Sequence, residues 1–129
     1  MSTFFDTNIL VHAQDAGAKG NRSRTLLAEG GKLSVQVLNE FAVVSFRKLG
    51  RSWEEIGEAV ADILALVDPP APLTVDLHTD ARALAADHGL SFYDALIVAA
   101  AQSAGCTVLW SEDMQDGREF GALRVVNPF

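Results

Sequence analysis

Four acids placed far apart in this sequence carry its sharpest chemical content: Asp6, Glu40, Asp94 and Asp113. Asp6 closes the short apolar run Ser2-Thr3-Phe4-Phe5 and is followed by Thr7-Asn8-Ile9-Leu10. That pattern reads as a buried first strand delivering an acid to its carboxyl end, ahead of a helix start. Glu40 falls early in a helix, Asp94 opens another in Phe92-Tyr93-Asp94-Ala95, and Asp113 follows a strand in Ser111-Glu112-Asp113. Each acid alone has an ordinary explanation. Asp6 suits an Asx turn, Glu40 an ion pair on a solvated face, Asp94 a capping box with Ser91, and Asp113 a turn. Together they resist it. Glu40 shares its helical stripe with Val37, Val43 and Val44, and Asp94 leads into Ala95–Ala101, apolar on nearly every side. Two carboxylates ~4 Å apart repel by about 4 kcal/mol at an effective dielectric near 20. A cluster of them therefore needs protons or a cation.

Oxygen donors alone suit Mg²⁺ or Mn²⁺. Zinc is disfavoured, because His12, His78 and His88 are scattered and Cys106 is the only cysteine. Such a site, with no serine or cysteine nucleophile in view, favours phosphodiester hydrolysis. The metal lowers the pKa of a water and draws in the phosphate.

The elements needed to position these acids can be read from the pattern. Strands are expected at Ser2–Phe5, Leu33–Val35, Leu73–Val75, Thr107–Trp110 and Leu123–Val126. Helices are expected over about Ile9–His12, Asn21–Glu29, Gln36–Leu49, Trp53–Val67, Asp76–His88 and Phe92–Ala104. Ser52 with Glu55 forms a capping box, Ser91 caps the last helix, and glycines close most of the others. Leu38, Phe41, Ala42, Ser45, Phe46 and Leu49 lie at helical spacing and are expected to form one core face. Ile56, Val60, Ile63, Leu64 and Val67 do the same in the next helix. Short apolar strands alternating with helices imply βα units and a mostly parallel sheet. In such sheets the crevice lies outside the carboxyl ends of the strands. Asp6, Asp94 and Asp113 all belong at that edge.

The 129 residues suffice for one domain with a substantial core. The net charge of −7 argues against broad, nonspecific nucleic-acid binding. The charge is uneven, however. Residues 1–68 carry seven bases against nine acids, and residues 69–129 three against eight. Lys19, Arg22, Arg24, Lys32, Arg47, Lys48 and Arg51 are placed to form a local basic rim. The longest apolar stretch, Ala95–Ala101, is far short of the ~20 residues a membrane span needs. No hydrophobic leader forms before Asp6, and a single cysteine fits a cytoplasmic setting. Cys106 reads as a packed small residue.

The pieces Phe5-Asp6-Thr7-Asn8-Ile9-Leu10, Leu38-Asn39-Glu40-Phe41, Phe92–Ala101, Leu109–Gly117 and Asn127-Pro128-Phe129, in that order and spacing, resemble PIN-domain ribonucleases. They are similar in particular to the VapC-type toxins of prokaryotic toxin–antitoxin pairs. The resemblance covers the whole chain, 1–129. It implies a three-layer α/β/α domain with a mostly parallel central sheet, an acidic Mg²⁺ or Mn²⁺ pocket, and endonuclease cleavage of RNA. It implies Asp6, Glu40 and Asp94 as the core metal ligands and Asp113 as the fourth acid. Ser111 takes the place of the Ser/Thr that precedes that acid, and Asn8 braces the first acid. Asp116 sits near the pocket in similar sequences, where it holds a second ion through water. Glu112 falls on a variable position and is expected to take no part. A small cognate antitoxin and a homodimer also follow from the resemblance. The apolar helix at Asp94 and the apolar faces of the two helices between Gln36 and Val67 are expected to offer surface for a partner. A basic antitoxin side chain inserted among the acids is the simplest form of inhibition.

Arg47 lies two helical turns after Glu40 on nearly the same stripe, suited to an RNA phosphate or to pairing with Glu40. Trp53 and Trp110 are of a type that stacks on bases, although Trp110 ends a strand expected to be core. The nearest enzymatic alternative is a haloacid-dehalogenase-like phosphatase. It requires a second Asp two residues after Asp6, where this chain has Asn8, and a late lysine, where Lys48 is the last. A response-regulator receiver domain is disfavoured on similar grounds. The non-enzymatic alternative is an acidic interaction module that recruits a basic partner.

Overall fold

The computed structural model describes residues 2–129. Four strands form one sheet in the order β1-β2-β4-β3. β1 (Thr3–Phe5) pairs parallel with β2 (Val108–Trp110), β2 pairs parallel with β4 (Leu123–Val126), and β3 (Glu119–Phe120) runs antiparallel along β4. The register aligns Phe4, Leu109 and Val125, all fully buried. Such burial explains why these strands read as short apolar runs and not as alternating ones. The mostly parallel sheet with its flanking helices agrees with the expected three-layer α/β/α arrangement.

The helices are α1 (Thr7–His12), α2 (Ala18–Ala28), α3 (Val35–Arg47), α4 (Trp53–Leu64), α5 (Val75–His88) and α6 (Phe92–Ser103). Their starts follow local chemistry. Ser34, Thr74 and Ser91 each accept a hydrogen bond from a backbone N–H three residues on, and Ser52 with Glu55 closes the full capping box. α1 packs against both α2 and α3, and α3 packs against α4. α5 packs along α6, and α3 touches α6. Among the described residues no helix is long and apolar enough to cross a membrane.

Several expectations are corrected. Leu33–Val35 is not a strand. Ser34 makes only an isolated bridge to Ala71 and then caps α3, so Val35 is already helical. Thr74 likewise caps α5 instead of extending a strand, and α2 begins at Ala18, ahead of Asn21. The two-residue β3 was not expected at all. Phe46 and Leu49, assigned to the core face of α3, are exposed, and so is Leu64 on α4. Ala95–Ala101 of α6 are all buried within the chain, so this apolar stretch is not the partner surface it was expected to be.

Gly31 shows how tightly the first strand is held. Its backbone (φ +153°) passes so close to β1 that a Cβ there would stand 2.6 Å from the Phe5 ring and 2.7 Å from Thr3 Oγ1. Only glycine fits such an approach.

Candidate active site

Asp6 follows β1 directly, and its own N–H donates to the Trp110 carbonyl, extending the parallel pairing by one residue. The buried phenyl rings before it fix where the strand ends, and its side chain caps α1. Its Oδ1 accepts from the Thr7 N–H at 2.7 Å. Its Oδ2 accepts from Ser111 Oγ at 2.7 Å and from Asn8 Nδ2 at 3.2 Å. Only 3% of the residue is exposed. Burial pushes the carboxyl up to about 6, the Ser111 and Thr7 hydrogen bonds oppose that rise, and the charges of Asp94 and Asp113 add to it.

Glu40 enters from α3, half-buried, with Thr7 Oγ1 donating to its Oε2 at 3.4 Å. Its carboxyl is pushed up to about 7, first by desolvation and then by the charges of Asp6 and Asp94, against hydrogen bonds from Thr7 and Gln36. Asp94 stands in the first turn of α6, where its N–H donates to Ser91 Oγ at 3.3 Å. Desolvation holds its carboxyl above the usual range. Ser91 lowers it in part, and Asp113 raises it further.

Asp113 is exposed, and its Oδ2 accepts from Asn8 Nδ2 at 3.1 Å. Asn8 thus spans two acids with one amide group, since the same Nδ2 reaches Asp6. Its Oδ1 accepts the Glu112 N–H at 3.1 Å, which fixes the amide's orientation. Ser111, fully buried, accepts from the Met114 N–H at 3.2 Å while donating to Asp6.

The four acids therefore act on one another as like charges from four separate stretches of chain. Among the described residues, none of them has an ion-pair partner. The three ion pairs present join His12 to Asp15, His12 to Glu112 and Lys19 to Glu112. The donor set is oxygen only and uncompensated, which fits a hard divalent cation. Among the described residues, however, no three such side chains are already drawn together around an ion-sized space. Closing on a cation would need the carboxylates to move inward.

The other expected residues divide. Asp116 lies in an exposed turn and accepts the Asn127 N–H at 2.9 Å. Among the described residues no hydrogen bond joins it to the four acids; it ties down the C-terminal segment. Arg47 is exposed on the last turn of α3 and makes no bond to Glu40. Trp110 is half-buried, with the Arg22 guanidinium 6.0 Å from its ring. Glu112 points away, to His12 and Lys19, and these contacts hold its carboxyl below the usual range. Two contributions were not anticipated. Thr7 serves Asp6 through its backbone and Glu40 through its hydroxyl. The Glu112–His12–Lys19 cluster anchors the segment that carries Asp113. Nothing in the local sequence announces that cluster, because its members lie about a hundred positions apart.

A family model described as the PIN domain matches residues 3–116. No curated protein matches the chain. Solved structures do, with the whole fold in common. VapC20 of Mycobacterium tuberculosis, described as a sarcin–ricin loop cleaving toxin, is 24% identical with a TM-score of 0.71, over 87% of this chain and 90% of that one. A toxin–antitoxin complex from Klebsiella pneumoniae is 21% identical with a TM-score of 0.73, over 99% and 98%. VapBC2 of Rickettsia felis, bound to a DNA fragment from its promoter, is 19% identical with a TM-score of 0.70, over 97% of each chain.

Proposed function

The chain belongs to the PIN-domain family, and from that membership and the acid cluster we propose that it is a divalent-metal-dependent endoribonuclease, the toxin of a toxin–antitoxin pair. One nuclease domain spans residues 1–129 in this reading. The observation that carries it is that Asn8 bonds both Asp6 and Asp113 and Thr7 bonds both Asp6 and Glu40, with no basic partner for Asp6, Glu40, Asp94 or Asp113 among the described residues. A fold with these acids unneutralised stores repulsion that bound Mg²⁺ or Mn²⁺ relieves.

Asp6, Glu40 and Asp94 would hold the ion, which when bound supplies an acidified water and neutralises the scissile phosphate. Asp113, open to solvent, is placed to orient water at the mouth of the site. Asn8 keeps Asp113 in register with Asp6 by bonding both. Ser111 and the Thr7 N–H fix the Asp6 carboxylate, and the Thr7 hydroxyl steadies Glu40. Until a cation arrives, the Glu40 carboxyl, pushed up to about 7, is only partly ionised near neutral pH, which limits the repulsion. An antitoxin carrying a basic side chain into the cluster would neutralise the same charges and exclude the metal. The toxin–antitoxin neighbours support the antitoxin partner, and a homodimer and a cytoplasmic location complete the reading.

The test is incubation of purified protein with total RNA in Mn²⁺, Mg²⁺ or EDTA, beside an Asp94→Asn variant, with the new ends mapped and Mn²⁺ binding followed by calorimetry. Cleavage and Mn²⁺ binding should vanish together in the variant. Cleavage that persists in EDTA, or that Asp94→Asn leaves intact, sinks the reading. Mn²⁺ binding without cleavage of any RNA favours the acidic interaction module.

A further inference from the structure

The outer edge of α3 carries an exposed ridge that the proposed chemistry does not use. Glu40, Val43 and Phe46 recur every third residue and form a row that winds around α3 away from the acid cluster, with Leu49 following just past the helix end. Val43 and Phe46 are each 45% exposed and Leu49 is 41% exposed. At the end of the row the Phe46 ring stacks on Trp53, the first residue of α4, with centroids 4.4 Å apart and planes 11° from parallel. Trp53 is 61% exposed, so its far face is open. Three bases lie between these two aromatic residues in sequence: Arg47, Lys48 and Arg51. Among the described residues, Arg47 and Lys48 have no hydrogen-bond or ion-pair partner through their side chains, and Arg51 reaches only Gln14 Oε1 at 3.4 Å. No acid occurs between Glu40 and Trp53. Of the acids that follow, Glu55 is turned back to the Ser52 N–H at 2.9 Å, and Glu54 is exposed.

We propose that this edge of α3, together with the turn into α4, is where single-stranded RNA lies on its way to the acid cluster: Trp53 stacks one base, and Arg47, Lys48 and Arg51 hold adjacent phosphates. The proposal rests on the nuclease reading and adds the path of the substrate to it. A purely apolar ridge would suit a protein partner. An exposed indole with Arg47, Lys48 and Arg51 near it in sequence, the first two without side-chain partners among the described residues, on a chain whose net charge is −7, is instead the chemistry of a strand that offers both flat bases and phosphates. The geometry also fits. At 1.5 Å per residue, Phe46 lies about 9 Å and Arg47 about 10 Å along the helix axis from Glu40. That is a span of a few nucleotides, so one short strand can touch both places.

The experiment uses a short single-stranded oligoribonucleotide. In steady-state cleavage, Trp53→Ala should raise KM roughly 5- to 150-fold, the weight of one stacked base. Over the same comparison kcat should stay within about twofold, as expected when an interaction made equally in the ground and transition states is removed. Trp53→Phe should recover most of the affinity. Replacing Arg47 and Arg51 by Ala should lower the salt dependence of binding by about 0.7 for each phosphate no longer held. Binding without turnover is followed in an Asp94→Asn chain, where RNA should quench tryptophan emission and Trp53→Phe should remove the quench. Cleavage with KM unmoved by Trp53→Ala overturns this path and leaves the nuclease reading standing. Absence of any cleavage, with an RNA-induced quench that Trp53→Phe abolishes, overturns the nuclease reading and leaves the RNA surface. A concentration-dependent dimer that Trp53→Ala dissolves, with KM unchanged, assigns the ridge to a second copy of the chain and overturns the proposal.

Discussion

Stability of the metal-free protein should fall as the pH rises from about 5 to about 8. Asp6 is 3% exposed and its carboxyl is pushed up to about 6, against 3.8 for an unperturbed aspartate. Folded Asp6 therefore keeps its proton where the unfolded chain has already released it. The folded state binds more protons than the unfolded one throughout that window, so stability declines as pH increases. The full penalty is roughly 3 kcal/mol. It is absent below about pH 4 and complete above about pH 7, with roughly half in place by pH 5. That leaves Asp6 about 1.5 kcal/mol between pH 5 and 8. Glu40, displaced from 4.5 to about 7, acts with the same sign. It is only half-buried, and solvent screening cuts its share to about 1 kcal/mol. The sum, about 2.5 kcal/mol, is a large part of the ~5–15 kcal/mol that holds a typical domain together. Urea unfolding followed by circular dichroism in EDTA, at steps from about pH 5 to pH 8, measures it. Mn²⁺ at ~100 times its Kd should return about 2.7 kcal/mol at the upper end. Stability that is level or climbing across the series in EDTA contradicts this linkage. So does an unchanged slope in an Asp6→Asn, Glu40→Gln double variant.

Ser111→Ala should lower stability by ~1.5–3 kcal/mol, because a buried carboxylate loses its closest side-chain donor. It should also move the Asp6 titration upward, which carboxyl NMR reads directly. Glu112→Gln should cost less than ~1 kcal/mol in urea unfolding, since its partners are partly solvated. It should nevertheless slow RNA cleavage several-fold by loosening the segment that carries Asp113, and cleavage at the wild-type rate would count against that anchoring role. Gly31→Ala should destabilise by ~1–3 kcal/mol, as a Cβ collides with the Phe5 ring and Thr3; the fall in melting temperature measures it.

Much of the site was readable because each acid sits beside a local signal. Asp6 follows two apolar residues and precedes a helix start, and Asp94 falls three places after a serine cap; both signals depend on neighbours in sequence. The mistakes share a cause as well. Leu33–Val35 has strand composition, but Ser34 caps a helix, and capping decided where Val35 went. β3 is two residues long, too short for any period to register. Phe46 and Leu49 keep a helical spacing that says nothing about where the body of the protein ends, and α3 runs past it. Apart from these mistakes, the acceptance of the Asn127 N–H by the Asp116 carboxylate is an arrangement that only the tertiary turn decides. The Glu112 anchor joins residues that no window of sequence contains together.

Pairing of β1 with β2 has a consequence for biosynthesis. The partner strand of the chain's first strand begins at Val108, so Asp6 meets Ser111 and Asp113 only after nearly the whole polypeptide has left the ribosome. Closing a loop of about a hundred residues comes late in folding. Nascent chains that have not yet reached Ser111 and Asp113 lack two of the residues that meet Asp6. On the nuclease reading proposed above, the acid cluster would therefore be incomplete until synthesis is nearly finished.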